Sequence, residues 1–328
     1  MGLASSIVNM DSTHYIKDLT TDNITRNVIA INSQCPEPRF RLLLERLVTY
    51  LHDFARETQL TTSEWEATIK FLTEVGDACT EFRSEFVLLS DVLGLSLLMD
   101  SINHPRPSSN NELGGSLVPT EGTVLGPFHT HDAAHLAHGG LISHDEDGEP
   151  LLVVGTVRDT EGRPIAGAQI DVWENNSHGL YDVQYPDRDA PDGRGILKSD
   201  EQGNFFFRAV VPVPYSIPND GPVGRLLDQL KRHPMRPSHF HFMIFKPGYD
   251  RLVTALYRRG DPYERSDAVF GVKESLVVDI GPVGDVEGFS AKYGVSPETK
   301  LMRYDFVLMS EKQMRELQEQ KAKEAKRT

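Results

Sequence analysis

The chain has 328 residues, 39% hydrophobic and 25% charged, enough apolar material for one large or two ordinary soluble domains. Its formal net charge of -14 opposes a phosphate-backbone partner, and two cysteines, Cys35 and Cys79, are too few for a disulfide framework or a thiolate metal site. The amino terminus lacks a basic stretch leading into an apolar core, and no run reaches about 18 apolar residues, so a cytoplasmic, non-membrane-spanning protein that binds no nucleic acid is expected.

Gly2 with Ser6 fits only a loose acylation pattern. From about Pro38 to Asn103 the pattern is helical. Leu42, Leu43, Leu47 and Leu51 recur at three- and four-residue spacings, Thr61 with Glu64 forms a capping box, and a third apolar stretch ends before His104-Pro105. The segment PRPSSNNELGGSLVPTEG reads as a linker, which divides the chain into a helical region, 1–106, and a second domain, 107–328. Beyond it the period changes to two. LLVVGTVRD, AQIDVWEN, NFFFRAV, SHFHFMIF, LVTALYRR, SLVVDI and MRYDFVL are short β-rich runs separated by Gly, Pro and Asp, the pattern of a sandwich. Ser310 and Gln313 cap a closing charged helix.

Within RPSHFHF, residues 236 to 242, strand alternation sends His239 and His241 to one face and Phe240 and Phe242 to the other. A bare His-x-His is ordinarily a pair of half-buried strand residues. Two tyrosines change the weighing, because Tyr181 in GLYD and Tyr215 in VPYSIP both sit where a strand gives way to a loop. Two phenolates with two imidazoles suit ferric iron, a hard cation that favours anionic oxygen and can ionise a phenol of ordinary pKa about 10.

The segment GTVRDTEGRPIAGAQIDVWENN followed by SDEQGNFFF resembles the transthyretin-like sandwiches, which predicts a fold and no activity. With GLYD, VPYSIP and RPSHFHF in that order, and GDPYERSDAVFGVKESLVVDI after them, the chain from about Arg39 to Asp305 resembles the intradiol ring-cleavage dioxygenases. It is most similar to the hydroxyquinol 1,2-dioxygenase branch, with the catechol 1,2-dioxygenases as the alternative. The resemblance implies a mainly β protein, a transthyretin-like catalytic sandwich behind an N-terminal helical dimerisation domain. It also implies one non-haem Fe(III) per subunit, an aromatic diol and O2 as substrates, and a homodimer with phospholipid at its interface. Carried over position by position, the metal ligands are Tyr181, Tyr215, His239 and His241, with Tyr215 yielding to the substrate and Arg236 stabilising its negative charge. Substrate-contacting positions are Leu88 and Asp91 in LLSDVLG, Val124, Leu125, Gly126, Pro127 and Phe128 in VLGPF, and Ile217-Pro218. Ala255 in LVTALY stands where bacterial relatives carry a polar Gln or His. Ring opening between the hydroxylated carbons gives maleylacetate from hydroxyquinol or cis,cis-muconate from catechol.

HTHDAAHLAHGG, with His129, His131, His135 and His138, has spacing compatible with zinc but no adjacent acidic ligand pattern, and reads as an exposed loop. A cupin-like site or a 2-His-1-carboxylate triad lacks its acid, since FMIFKPG follows His241. A non-catalytic sandwich explains the strands without explaining why Arg236, both histidines and both tyrosines occur together. Colour separates the two, because tyrosinate-to-Fe(III) charge transfer makes a protein wine-red.

Overall fold

The computed structural model describes residues 18–80, 83–107 and 116–325. Gly2, Ser6 and part of the expected linker lie outside them. Five helices precede any strand among the described residues: α1 (Ile24–Asn32), α2 (Pro38–Glu57), α3 (Thr62–Asp77), α4 (Glu85–Val92) and α5 (Leu95–Asn103). Helix α2 begins with Pro38 in its first turn, where a missing N–H costs nothing, and the Glu37 carboxylate accepts from Arg39 N at 3.0 Å. The capping box before α3 is present: Thr61 N donates to Glu64 Oε2 at 2.9 Å and Glu64 N to Thr61 Oγ1 at 3.3 Å.

The chain forms two compact units, one ending at Thr73 and the other running from Glu74 onward. Helices α4 and α5 thus group with the strands, although their sequence period is that of the preceding helices. In the first unit, Phe40, Leu43, Leu47, Tyr50, Leu51 and Phe54 of α2 are all more than half exposed except Leu43, which is 50% exposed.

The second unit continues with β1 (Pro150–Asp159), β2 (Gln169–Trp173), β3 (Arg194–Lys198), β4 (Asn204–Val210), β5 (Tyr215–Ser216), α6 (Pro222–Gln229), β6 (Met235–Arg236), β7 (His239–Phe245) and β8 (Leu252–Arg258). It closes with β9 (Val277–Val278), β10 (Gly281–Pro282), α7 (Phe289–Tyr293), β11 (Lys300–Leu308) and α8 (Glu311–Ala325). One sheet has the order β10-β11-β1-β4, the other β3-β2-β7-β8-β9, and β5 pairs with β6 in a separate ribbon. Burial drives the sandwich: Phe207 meets Phe240 with ring centroids 5.5 Å apart, and Phe242 meets Phe306 at 4.9 Å, joining the two inner faces.

Strand β7 lies between β2 and β8, antiparallel to both, with Trp173 opposite His241, Ala255 opposite His241 and Tyr257 opposite His239. Paired residues share a face, so Trp173, Ala255 and Tyr257 stand beside the histidines, with Ala255 and Tyr257 also packed into the cluster that holds Phe240 and Phe242. That outer face is itself buried under a second apolar cluster drawn from α4, β5, α6 and the loops. The closing helix carries its expected cap, with Ser310 N donating to Gln313 Oε1 at 3.0 Å. Among the described residues no helix is long and apolar enough to cross a membrane.

Candidate active site

Four side chains that are distant in sequence converge on the outer face of the five-stranded sheet. His239 and His241 are 2% and 1% exposed, and their Nε2 atoms lie 3.1 Å apart. Tyr181 follows β2, anchored by its N–H to Gln184 Oε1 at 2.9 Å, while Tyr215 begins β5 directly opposite Arg236 of β6. The two phenol rings are 5.6 Å apart, Tyr215 is 5.5 Å from the His239 ring, and Tyr181 is 6.4 Å from the His241 ring.

The donor chemistry fits a hard cation. Burial first, then the neighbouring positive charge of Arg236, depresses the His239 pKa well below its usual value; burial and the His239 ring do the same for His241. Both imidazoles are therefore neutral. Pro237 O lies 2.7 Å from His239 Nδ1, which places the proton there and leaves the Nε2 lone pair facing the cluster. Tyr181 is fully buried, its hydroxyl has no hydrogen-bond partner, and burial pushes its pKa well up. An orphaned buried hydroxyl costs about 1–3 kcal/mol, a penalty that ionisation onto a cation would remove. Among the described residues no group of three or more His, Cys, Asp or Glu is placed to hold a metal, so a metal here needs the phenols.

Arg236, 2% exposed, spans the edge of this cluster. Its Nε and Nη2 donate to the two Asp267 oxygens at 3.1 and 3.3 Å, Nη2 also to Tyr257 Oη at 3.3 Å, and Nη1 to Tyr215 Oη at 3.4 Å. Burial opposes its charge, but Asp267 and the adjacent phenols outweigh that and raise its pKa well above normal. Burial pushes the Tyr257 phenol up to about 12.

Helix α4 covers the cluster and is pinned at both ends. Buried Glu85 accepts from Val223 N at 3.1 Å and from Arg83 Nε at 2.8 Å, and Arg232 Nη1 donates to Val92 O at 2.8 Å. Leu88 and Asp91 are thereby buried on its inner side. Burial raises the Asp91 pKa, against a Ser96 hydrogen bond and the Arg236 charge, which sets Asp91 within electrostatic reach of the guanidinium.

Leu88, Val124 and Ile217 join Tyr181 and Tyr215 in one apolar cluster, with Phe128 stacked on Tyr181 at 4.4 Å. Gly126, at φ +75°, brings its backbone so close that a Cβ would lie 3.4 Å from the His241 ring. Leu125 and Pro127 are exposed and Pro218 is half-buried; none of the three belongs to that cluster. Ala255 is fully buried against His241 and brings a methyl where a polar side chain would bring a hydrogen bond. Sequence reasoning missed Val269, buried in the cluster, and Asp267, Tyr257 and Trp173, which stacks on His241 at 4.8 Å and 5°. Register against His239 and His241 was the available signal for Tyr257 and Trp173. His131 and His135 are exposed as expected of their loop, but His129 turns inward, 3.0 Å from Asp171 and edge-on to Trp173.

A family model described as Dioxygenase matches residues 124–310, and one described as Catechol dioxygenase N terminus matches residues 37–111. The intradiol ring-cleavage dioxygenase hqdA of Aspergillus niger is 60% identical over 310 residues, spanning 94% of this chain and 91% of the relative. The chain belongs to the intradiol ring-cleavage dioxygenase family. It is similar to the 6-chlorohydroxyquinol 1,2-dioxygenase of Cupriavidus pinatubonensis, 49% identical over 257 residues, 78% of this chain and 90% of the relative. The crystal structure of a hydroxyquinol 1,2-dioxygenase from Pseudomonas putida superposes with a TM-score of 0.80 at 42% identity, covering 89% of this chain and 99% of that one.

Proposed function

We propose that the chain cleaves hydroxyquinol between its two adjacent hydroxylated carbons, adding both atoms of O2 to give maleylacetate, and that Tyr181, Tyr215, His239 and His241 hold one ferric ion per chain. The observation that carries this reading is the buried meeting of two neutral imidazoles and two phenols, one without any hydrogen-bond partner, beside a charged arginine. When bound, the ferric ion supplies a Lewis acid that draws electron density from a chelated diol and opens its ring to dioxygen.

The chain's own groups do the rest. With the ion in place, Tyr215 would be the ligand that yields to the diol, and Arg236 Nη1, already donating to its hydroxyl, would stabilise the negative charge there in a site of low dielectric. Leu88, Val124, Phe128, Ile217 and Val269 wall the ring and exclude water. Asp91 accepts from the third hydroxyl of hydroxyquinol, the group that catechol lacks. Gly126 and Ala255 lie against His241 beside that wall, whereas Leu125, Pro127 and Pro218 stand outside the apolar cluster. The test is kcat/KM on hydroxyquinol and catechol side by side. A preference for hydroxyquinol is expected; a preference for catechol moves the substrate assignment to the other branch.

The helical region, 1–106, serves assembly in this reading. The exposed apolar side chains of α2 support a homodimer formed through them, with a phospholipid chain as the further apolar filler, in a cytoplasmic enzyme.

A further inference from the structure

The Arg236 guanidinium has five N–H bonds, and the structure accounts for them unevenly. Asp267 holds Nε and Nη2, while Nη1 lies 3.2 Å from His239 Nε2 and donates to Tyr215 Oη at 3.4 Å, both of them groups that a bound ion would engage. The remaining point is Tyr257. It lies on β8 opposite His239, with ring centroids 5.4 Å apart, and its hydroxyl reaches past that histidine to Nη2 at 3.3 Å. The ring alone satisfies the packing of this fully buried position, which phenylalanine would fill as well. The hydroxyl is the part that packing does not require, and burying one is unfavourable unless it is bonded.

The backbone around it leaves room for that oxygen. A Cβ on Gly271 would stand 2.6 Å from Tyr257 Oη, 2.9 Å from Arg236 Nη2 and 3.1 Å from Asp267 Oδ2. Gly271 N donates to Asp267 Oδ2 at 2.9 Å and its carbonyl accepts from Thr123 Oγ1 at 2.7 Å, next to Val124 of the ring-contacting segment. Arginine, carboxylate, phenol and the glycine backbone thus form one closed group.

We propose that Tyr257 is a positioning residue: its hydroxyl fixes the plane of the Arg236 guanidinium so that Nη1 stays aimed at the Tyr215 oxygen, where the diol's negative charge is to be stabilised. This rests on the role of Arg236 proposed above. Ala255 offers no polar group, and the polar contact from β8 is made two residues further along the strand.

The test is Tyr257→Phe, alone and combined with Arg236→Lys, measured on iron-loaded protein with hydroxyquinol. The single variant should keep parental iron content, visible absorption and thermal midpoint, and bind the diol anaerobically within about twofold, while kcat falls roughly tenfold. In the Arg236→Lys background the same change should cost less than about twofold, because its effect passes through the guanidinium. An undiminished kcat in Tyr257→Phe, an equal loss in both backgrounds, or loss of iron from the single variant overturns the proposal while parental turnover leaves the reading of the site intact. A parent without iron-dependent turnover overturns both.

Discussion

Replacing Arg236 by lysine keeps the charge and removes the fork. The guanidinium reaches Asp267 through two nitrogens, at 3.1 and 3.3 Å, and Tyr215 through the third, at 3.4 Å. A single ammonium cannot serve both sides. It should stay with Asp267, a buried carboxylate that also accepts from Val269 N at 3.2 Å and Gly271 N at 2.9 Å and so keeps its place. The Tyr215 side then loses its donor. Removing one preorganised donor from a developing anion costs about 2.7–4 kcal/mol, so kcat should fall roughly 100- to 1000-fold. Iron content and visible absorption should survive, because none of the four ligands is changed. The assay is oxygen uptake with hydroxyquinol at saturating substrate, alongside iron analysis. Parental kcat in Arg236→Lys would leave Arg236 as a structural ion pair with no part in stabilising the diol's charge.

His239→Ala and His241→Ala should each lose most bound iron and the visible absorption, read by metal analysis, since two buried phenols and one imidazole leave the ligand set incomplete. Asp91→Ala should lose more on hydroxyquinol than on catechol, by about 1–3 kcal/mol in the ratio of kcat/KM; equal losses on both diols would remove Asp91 as the discriminator. Stability should depend on His104, whose Nδ1 lies 3.1 Å from Asp100 and whose Nε2 is 4.0 Å from Asp250. The Asp100 hydrogen bond, against partial burial, raises its pKa above 6.5. A raised folded pKa stabilises the protein fully below the unfolded value and loses that contribution as pH climbs through the folded one. The Tm advantage of the parent over His104→Gln should therefore be present at about pH 6 and fade toward about pH 9; an advantage constant across that window would show that His104 does not titrate with folding.

The histidine pair was legible because strand alternation is local: SHFHFMIF alone decides that His239 and His241 share a face opposite Phe240. The tyrosines were different. Their meeting depends on the β2–β7 register, which sets Trp173 beside His241, and on the ribbon that sets Tyr215 against Arg236. No spacing along the chain gives either pairing, and the family motifs identified both residues instead. Tyr257 reads as an ordinary strand aromatic until its register against His239 is known. Helix α4 has the same period as the helices before it, yet Glu85 ties it to Val223, 138 residues away. His129 belongs to a polar loop segment, and only the outward face of β2, carrying Asp171, explains why it turns in. Leu125 and Pro127 share their segment with Val124, which is buried, and Phe128, which is half-buried against Tyr181, yet both are exposed.

The visible spectrum of the purified, iron-loaded chain tests whether two tyrosines and two histidines hold a ferric ion. The expected result is one iron per chain, a wine-red tyrosinate-to-iron absorption that Tyr181→Phe or Tyr215→Phe alters, and a change in that absorption when hydroxyquinol is added without oxygen. A colourless protein that still opens the hydroxyquinol ring would contradict it.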